Sequence, residues 1–184
     1  MSQQYDKVYY AEANYSQEEI DAVLHVLKHN RLSLMGGLKV NELERRISGI
    51  FNKKYGLMTN SGSSANLLAV LSLDLKKGSR VITPALTFST TISPIVQSGL
   101  IPYFIDVERE TMQIDISKLS DIPMQNVSAI CVPNLVGNIA NWEKIFSFAK
   151  KYDLKIIEDS ADTIGYKYRT KLNNWSDITT TSFY

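Results

Sequence analysis

The stretch RVITPALTFSTTISPIVQSGLIPYFID, residues 80–106, sets two short apolar runs, RVITP (80–84) and IPYFID (101–106), on either side of a helical segment at Ser89 to Gln97. A strand that reaches a parallel neighbour needs a crossover of a dozen or more residues, usually a helix, so this spacing predicts a βαβ unit. Outward from it the same alternation continues. Further strands are predicted at YGLMT (55–59), SAICVP (128–133), LKIIED (154–159) and DITTTSFY (177–184), and further helices at Ser63 to Leu75, Ile116 to Leu119 and Asn141 to Tyr152. The strands are continuously apolar more often than alternating, the pattern of a sheet covered on both faces. The expected fold is therefore a three-layer α/β/α sandwich around a mainly parallel sheet. Ahead of it, SQEEIDAVLHVLKHN (16–30) opens with a Ser cap and Glu19 three positions on, then places Ile20, Val23, Leu24 and Leu27 at helical spacing, and VNELERRISGIF (40–51) repeats that spacing. The predicted organisation is an N-terminal helical segment, 1–54, followed by the sheet domain, 55–184.

Composition excludes several classes. Of 184 residues, 44% are hydrophobic and 21% charged, close to globular averages, which argues against disorder and fibrous repeats. Lys+Arg of 20 against Asp+Glu of 19 leaves no basic excess to neutralise a nucleic-acid backbone or an anionic membrane. Apolar runs are interrupted well short of the ~18 residues of a membrane span. The start MSQQYDKVYY lacks the basic-then-apolar pattern of a signal peptide, so a cytoplasmic location is expected. Cys131, the single cysteine, lies in the apolar run AICVP and reads as a buried thiol; His25 and His29, one helical turn apart, read as a solvated helix face. No metal cluster is expected.

Ligand sites of open α/β sheets form beyond the carboxyl ends of the strands, and polar residues gather there. TNSGSSAN (59–66) precedes a helical run: Gly62 lets backbone approach closely, and Ser61, Ser63 and Ser64 add hydroxyls to the free N–H groups of a helix start. That is a phosphate site, or else a plain serine cap. LKIIEDSADTIG (154–165) ends its buried run on Glu158 and Asp159. A carboxylate there needs a partner, either a structural one or the ring nitrogen of a pyridinium cofactor. Phe88, in TPALTFSTT, could cover the face of a flat ring or pack in the core. Ser182, towards the end of the last predicted strand, is placed on the same rim as Gly62, where it could add a further hydroxyl to the phosphate.

NSGSSANLLAVLSL, TPALTFSTTISPIVQSGLIPYFIDVERETMQID, VPNLVGNIANWEKI, IIEDSADTIG and DITTTSFY resemble, in order and spacing, the DegT/DnrJ/StrS family of fold-type-I enzymes that use pyridoxal 5'-phosphate on nucleotide-linked keto-sugars. The likeness runs from about Leu32 to Tyr184. It implies that Gly62 and Ser63 hold the cofactor phosphate, beside the hydroxyls of Ser64 and Ser182 already read at that rim, that Phe88 stacks on the pyridine ring, and that Asp159 pairs with its nitrogen. Asp162 stands near the phenolic oxygen, where His or Gln is commoner in the family; an acid there resembles the 3-dehydrase branch, which acts on a CDP-linked deoxyhexulose. Ser182 would begin the SF-x-x-x-K segment, whose lysine holds the cofactor covalently in aminotransferases and is a histidine in dehydrases. That position falls three residues beyond Tyr184, and neither Lys167 nor Lys171 occupies it. The resemblance implies an aminotransferase of polysaccharide or lipopolysaccharide sugar biosynthesis with a nucleotide-sugar substrate, an amino-acid donor and a homodimeric assembly. The alternatives are a 3-dehydrase of the same family or a non-catalytic remnant. With no covalent lysine and no small domain, the chain by itself is expected to be inactive.

Overall fold

The computed structural model describes residues 12–166 and 174–183. Two compact units divide the chain, Met1–Glu42 and Leu43–Tyr184. In the first, α1 (Gln17–His29) begins at a capping box: Ser16 Oγ accepts the Glu18 N–H at 3.2 Å, and the Glu19 carboxylate accepts the Ser16 N–H at 2.6 Å. These hydrogen bonds hold the Glu19 carboxyl below its usual range. The stacked rings of His25 and His29 lie on the exposed side of α1. The unit boundary falls within α2 (Leu38–Ile50).

The second unit holds α3 (Gly62–Ser72), α4 (Ser89–Gln97), α5 (Trp142–Lys151) and five strands: β1 (Arg80–Pro84), β2 (Ile101–Ile105), β3 (Val127–Pro133), β4 (Lys155–Asp159) and β5 (Ile178–Thr180). All pairings between these strands are parallel, in the order β2-β1-β3-β4-β5. From β1 the chain crosses by α4 to β2 on one side; from β3 it crosses by α5 to β4 in the opposite direction. Right-handed crossovers laid in opposite directions put their helices on opposite faces. Val81, Ala129, Cys131 and Ile157 accordingly pack with Ala69 and Val70 of α3 and Ile95 of α4. Ile82, Ile130, Val132 and Ile156 pack with Trp142, Ile145 and Ala149 of α5 and with Leu119, in a 3₁₀ turn at Ile116–Asp121. This is the expected three-layer sandwich, and the reversal between β1 and β3 is the switch point at which such folds place ligands. Among the described residues no helix is long and apolar enough to cross a membrane.

One predicted strand is absent. Residues 55–60 have strand-like composition, yet they pair with no strand among the described residues. A strand is defined by its neighbour. Here the segment faces a cleft of about 700 Å³ whose other walls include α3 and the residues of β5, so Tyr55 and Leu57 stay exposed. Two local contacts fix it instead. The Met58 N–H donates to Glu44 Oε1 at 2.8 Å, and Gly56 passes so close to α2 that a Cβ there would sit 2.5 Å from the Glu44 carbonyl oxygen. The last strand is shorter than predicted: β5 ends at Thr180, and Tyr184 lies outside the described residues.

Ile130 is wholly buried at the centre of the sheet, whereas Ile101 on edge strand β2 is half exposed. Ile130→Ala is expected to cost about 3–5 kcal/mol and Ile101→Ala under about 1.5 kcal/mol, read from urea denaturation midpoints.

Candidate functional site

Side chains alternate along a strand, so the two adjacent acids that end β4 point to opposite faces. Glu158 follows Ile156 to the α5 side, and Asp159 follows Ile157 to the side of α3 and α4. Both are buried, at 4% and 5% exposure, and both require donors. Glu158 has five: Asn134 Nδ2 (3.0 Å), Ser160 Oγ (2.9 Å), Tyr166 OH (2.6 Å), Ser176 Oγ (3.1 Å) and Thr179 Oγ1 (3.2 Å). Its role is structural. Lys53 leans on the same cluster, donating to the Ser176 carbonyl, to Ser176 Oγ at 3.0 Å and to Asn174 Oδ1 at 3.0 Å. Burial pushes the Lys53 ammonium below its usual range, partly countered by the charges of Glu158 and Asp177.

Asp159 is differently placed. Its Oδ2 accepts from Asn66 Nδ2 of α3 and from Thr91 Oγ1 of α4, both at 2.8 Å, while Oδ1, among the described residues, accepts only the Ala161 N–H at 3.2 Å. Among the described residues no cationic side chain pairs with it. One carboxylate oxygen therefore retains acceptor capacity at a buried strand end, where a further donor, above all a protonated ring nitrogen, would offset the cost of burial. Burial, with the charge of Asp159 adding to it, pushes the Cys131 thiol well above its usual range, consistent with an inert core residue.

The loop before α3 meets the end of β5. Ser61 caps the helix, its Oγ accepting the Ser64 N–H at 3.1 Å and lying 3.2 Å from Ser64 Oγ. The plain cap is thus present, and it leaves Gly62 and exposed Ser63 in the first turn, where helix N–H groups have no intrahelical acceptor. A Cβ on Gly62 would sit 3.2 Å from Ser182 Cβ and 3.3 Å from Ser182 Oγ. Ser182 and Gly62 thus form one cradle that a side chain would fill. One turn along α3 from Gly62, Asn66 touches Asp159, and Asn66 Oδ1 accepts from Thr180 Oγ1 at 2.6 Å. The two candidate regions are therefore joined through a single side chain.

Phe88 caps α4 through its backbone, with the Thr91 N–H donating to its carbonyl at 3.0 Å, and its ring is 69% exposed rather than packed in the core. Asp162 is exposed, and its Oδ2 accepts the Val136 N–H at 2.8 Å, tying the turn after β4 to the loop after β3. Val136 holds φ +51° there, a strained conformation for a β-branched residue. Lys167 and Lys171 lie outside the described residues. Two residues of this site, Asn66 and Thr91, were not singled out from sequence. The available signal for Asn66 was a polar amide inside the apolar run ANLLAVL; for Thr91, in a Thr-rich loop, no signal set it apart.

The chain matches the DegT/DnrJ/EryC1/StrS aminotransferase family over residues 13–184. It is 35% identical over 176 residues to dTDP-4-dehydro-2,6-dideoxy-D-glucose 3-dehydratase of Saccharopolyspora spinosa, covering 91% of this chain and 38% of that one. Its fold is similar to that of E. coli GDP-4-keto-6-deoxy-D-mannose-3-dehydratase with bound hydrated PLP (TM-score 0.80, 32% identity, 88% of this chain, 42% of that one). It is also similar to a Streptococcus pneumoniae protein described as a sugar aminotransferase, in its PMP form (TM-score 0.88, 25% identity, 97% of this chain, 48% of that one). The chain thus spans about two fifths of the length of the curated relatives it matches.

The Lys53 environment has a pH consequence. Its folded pKa lies below the usual 10.5, so between those two values the unfolded chain binds more protons and stability rises with pH. Lys53→Met is expected to flatten that rise, seen in urea midpoints measured in the window just below pH 10.5.

Proposed function

Because the chain belongs to the DegT/DnrJ/EryC1/StrS aminotransferase family, we propose that it is the cofactor-cradling portion of a pyridoxal 5'-phosphate enzyme that moves an amino group from an amino acid to a nucleotide-linked keto-sugar. One observation carries this reading: Asp159, buried without a cation among the described residues, is joined through Asn66 and Thr180 to the Gly62–Ser182 cradle. In this reading the first-turn amides at Gly62 and Ser63, with the hydroxyls of Ser63, Ser64 and Ser182, receive the phosphate. Phe88 covers one ring face. Asp159 holds the proton on the ring nitrogen, and Asp162 stands by the phenolic oxygen. When bound, the pyridinium ring supplies the electron sink for chemistry at the substrate. Residues 55–184 form the cofactor domain and 1–54 the N-terminal helical segment. The substrates are a nucleotide-sugar and an amino-acid donor of lipopolysaccharide or polysaccharide sugar biosynthesis, in the cytoplasm, and the working assembly is a homodimer burying more than ~2,000 Å².

A second reading, 3-dehydration of a nucleotide-linked keto-sugar, is favoured by Asp162, an acid where aminotransferases of the family commonly carry His or Gln, and by the names of the Saccharopolyspora and E. coli relatives. The cradle serves both reactions. In a chain extended to the relatives' full length and supplied with a keto-sugar nucleotide, an amino-sugar product supports the first reading and a 3-deoxy product the second.

Calorimetry with pyridoxamine 5'-phosphate, which has no aldehyde to react with surface lysines, tests the cradle itself. Saturable binding is expected, with loss of about tenfold or more in affinity on Asp159→Ala. Gly62→Ala should weaken binding while leaving stability nearly unchanged, since its added methyl enters the cradle but suits a helix start. Absence of binding would leave the folded-remnant reading instead. Light scattering at micromolar concentration is expected to give a dimer; a stable monomer would argue against the assembly.

A further inference from the structure

α4 carries a proline inside the helix, Pro94. Proline has no N–H, so the carbonyl four residues back, that of Thr90, loses its helical donor. In this structure that carbonyl accepts a hydrogen bond from outside the helix, from Asn66 Nδ2 at 3.2 Å. The second N–H of the same Nδ2 goes to Asp159 Oδ2 at 2.8 Å, and Asn66 Oδ1 accepts from Thr180 Oγ1 at 2.6 Å. A carbonyl and a carboxylate can only accept, so the amide has one orientation, with its NH₂ towards Asp159. Asn66 is buried, at 5% exposure, and its hydrogen-bonding groups are all engaged.

The consequence falls on Asp159. Asn66 and Thr91 both address Oδ2. That fixes the plane of the carboxylate and leaves Oδ1, with its single backbone donor at 3.2 Å, as the oxygen able to meet an incoming N–H. We propose that Asn66 is the positioning residue of Asp159, a side-chain amide whose two N–H groups are divided between the carboxylate and the helix carbonyl that Pro94 leaves without a donor. This rests on the proposed role of Asp159 and goes beyond it: the proline in α4 becomes part of the site through the Thr90 carbonyl that it leaves to Asn66. The arrangement spans four elements, since Asn66 belongs to α3, Thr90 and Pro94 to α4, Asp159 to β4 and Thr180 to β5.

The test uses the 184-residue chain with pyridoxamine 5'-phosphate and reads two quantities, the affinity and the pH at which the absorption band of the bound ring shifts as its nitrogen loses its proton. Asn66→Leu, close in size, is expected to lower affinity about tenfold and to lower that pH, because the carboxylate no longer faces the ring N–H in a fixed plane. In an Asp159→Asn background the same substitution should add nothing, the signature of an effect routed through Asp159. A changed thermal midpoint with an unmoved ring titration, or a full effect persisting in the Asp159→Asn background, would overturn the proposal. Should Asn66→Leu fail to fold, Thr180→Val and Pro94→Ala decide the matter. The first removes the donor to Asn66 Oδ1, and the second restores a helical N–H that competes for the Thr90 carbonyl. Both are expected to unfold cooperatively and to shift the ring titration in the same direction; no shift in either sinks the idea. If Asp159→Asn alone leaves affinity unchanged, it is the cofactor reading that fails, and the positioning role falls with it.

Discussion

A carboxylate buried at the end of a parallel strand, with no cationic partner among the described residues, is the constraint around which the rest of the structure is arranged. Removing Asp159 from water carries a penalty that its neighbours must offset with hydrogen bonds. Those neighbours come from three other elements. Asn66 of α3 and Thr91 of α4 bond to it directly, and Thr180 of β5 steadies Asn66 from the far side. The packing of α3 against α4 and the placing of β5 beside β4 therefore depend on polar contacts as well as on apolar burial. The hydrophobic contacts of Ala69, Val70 and Ile95 with the sheet provide the bulk of the adhesion on that face.

Strand parity gives the neighbouring acid a different fate. Glu158 faces α5, where Asn134, Ser160, Tyr166, Ser176 and Thr179 surround it, with Lys53 bonded to Ser176. Asn134 reaches further, since its N–H donates to the Asp159 carbonyl and its Oδ1 accepts from the Ala140 N–H and from Trp142 Nε1. Glu158 is thus fully supplied with donors, whereas Asp159 on the α3 side keeps acceptor capacity at Oδ1. Two acids adjacent in sequence end on opposite sides of the sheet, one supplied with five donors and one keeping acceptor capacity, and the division follows from the two-residue period of a β-strand.

The same economy governs the helix starts. Ser61 satisfies the cap of α3 and leaves the Gly62–Ser63 turn beside Ser182, while α4, capped by the backbone of Phe88 and interrupted at Pro94, gives up a helix bond that Asn66 takes over. Departures from ideal helix chemistry cluster around the candidate site, as expected where local regularity yields to function.

The sandwich and the candidate loops were legible in the sequence because each rests on local pattern: apolar runs of strand length, helical periodicity between them, and Gly, Ser and Asp at run ends; the strand order β2-β1-β3-β4-β5, which pairs runs distant in the chain, was not. Gly62, Phe88, Asp159 and Ser182 could be singled out in that way, and Asp162 only through the resemblance. YGLMT at 55–59 could not be judged locally, since its composition is that of a strand but pairing requires a neighbour, which the described residues do not provide. Only the tertiary structure showed that Glu158 and Asp159 face opposite sides of the sheet, and that Asn66 and Thr91 bond to Asp159 while Asn66 also takes the carbonyl that Pro94 leaves without a helical donor. Those assignments depend on which helix packs on which face and on hydrogen bonds across 93 and 68 residues of chain, distances over which sequence periodicity carries no information.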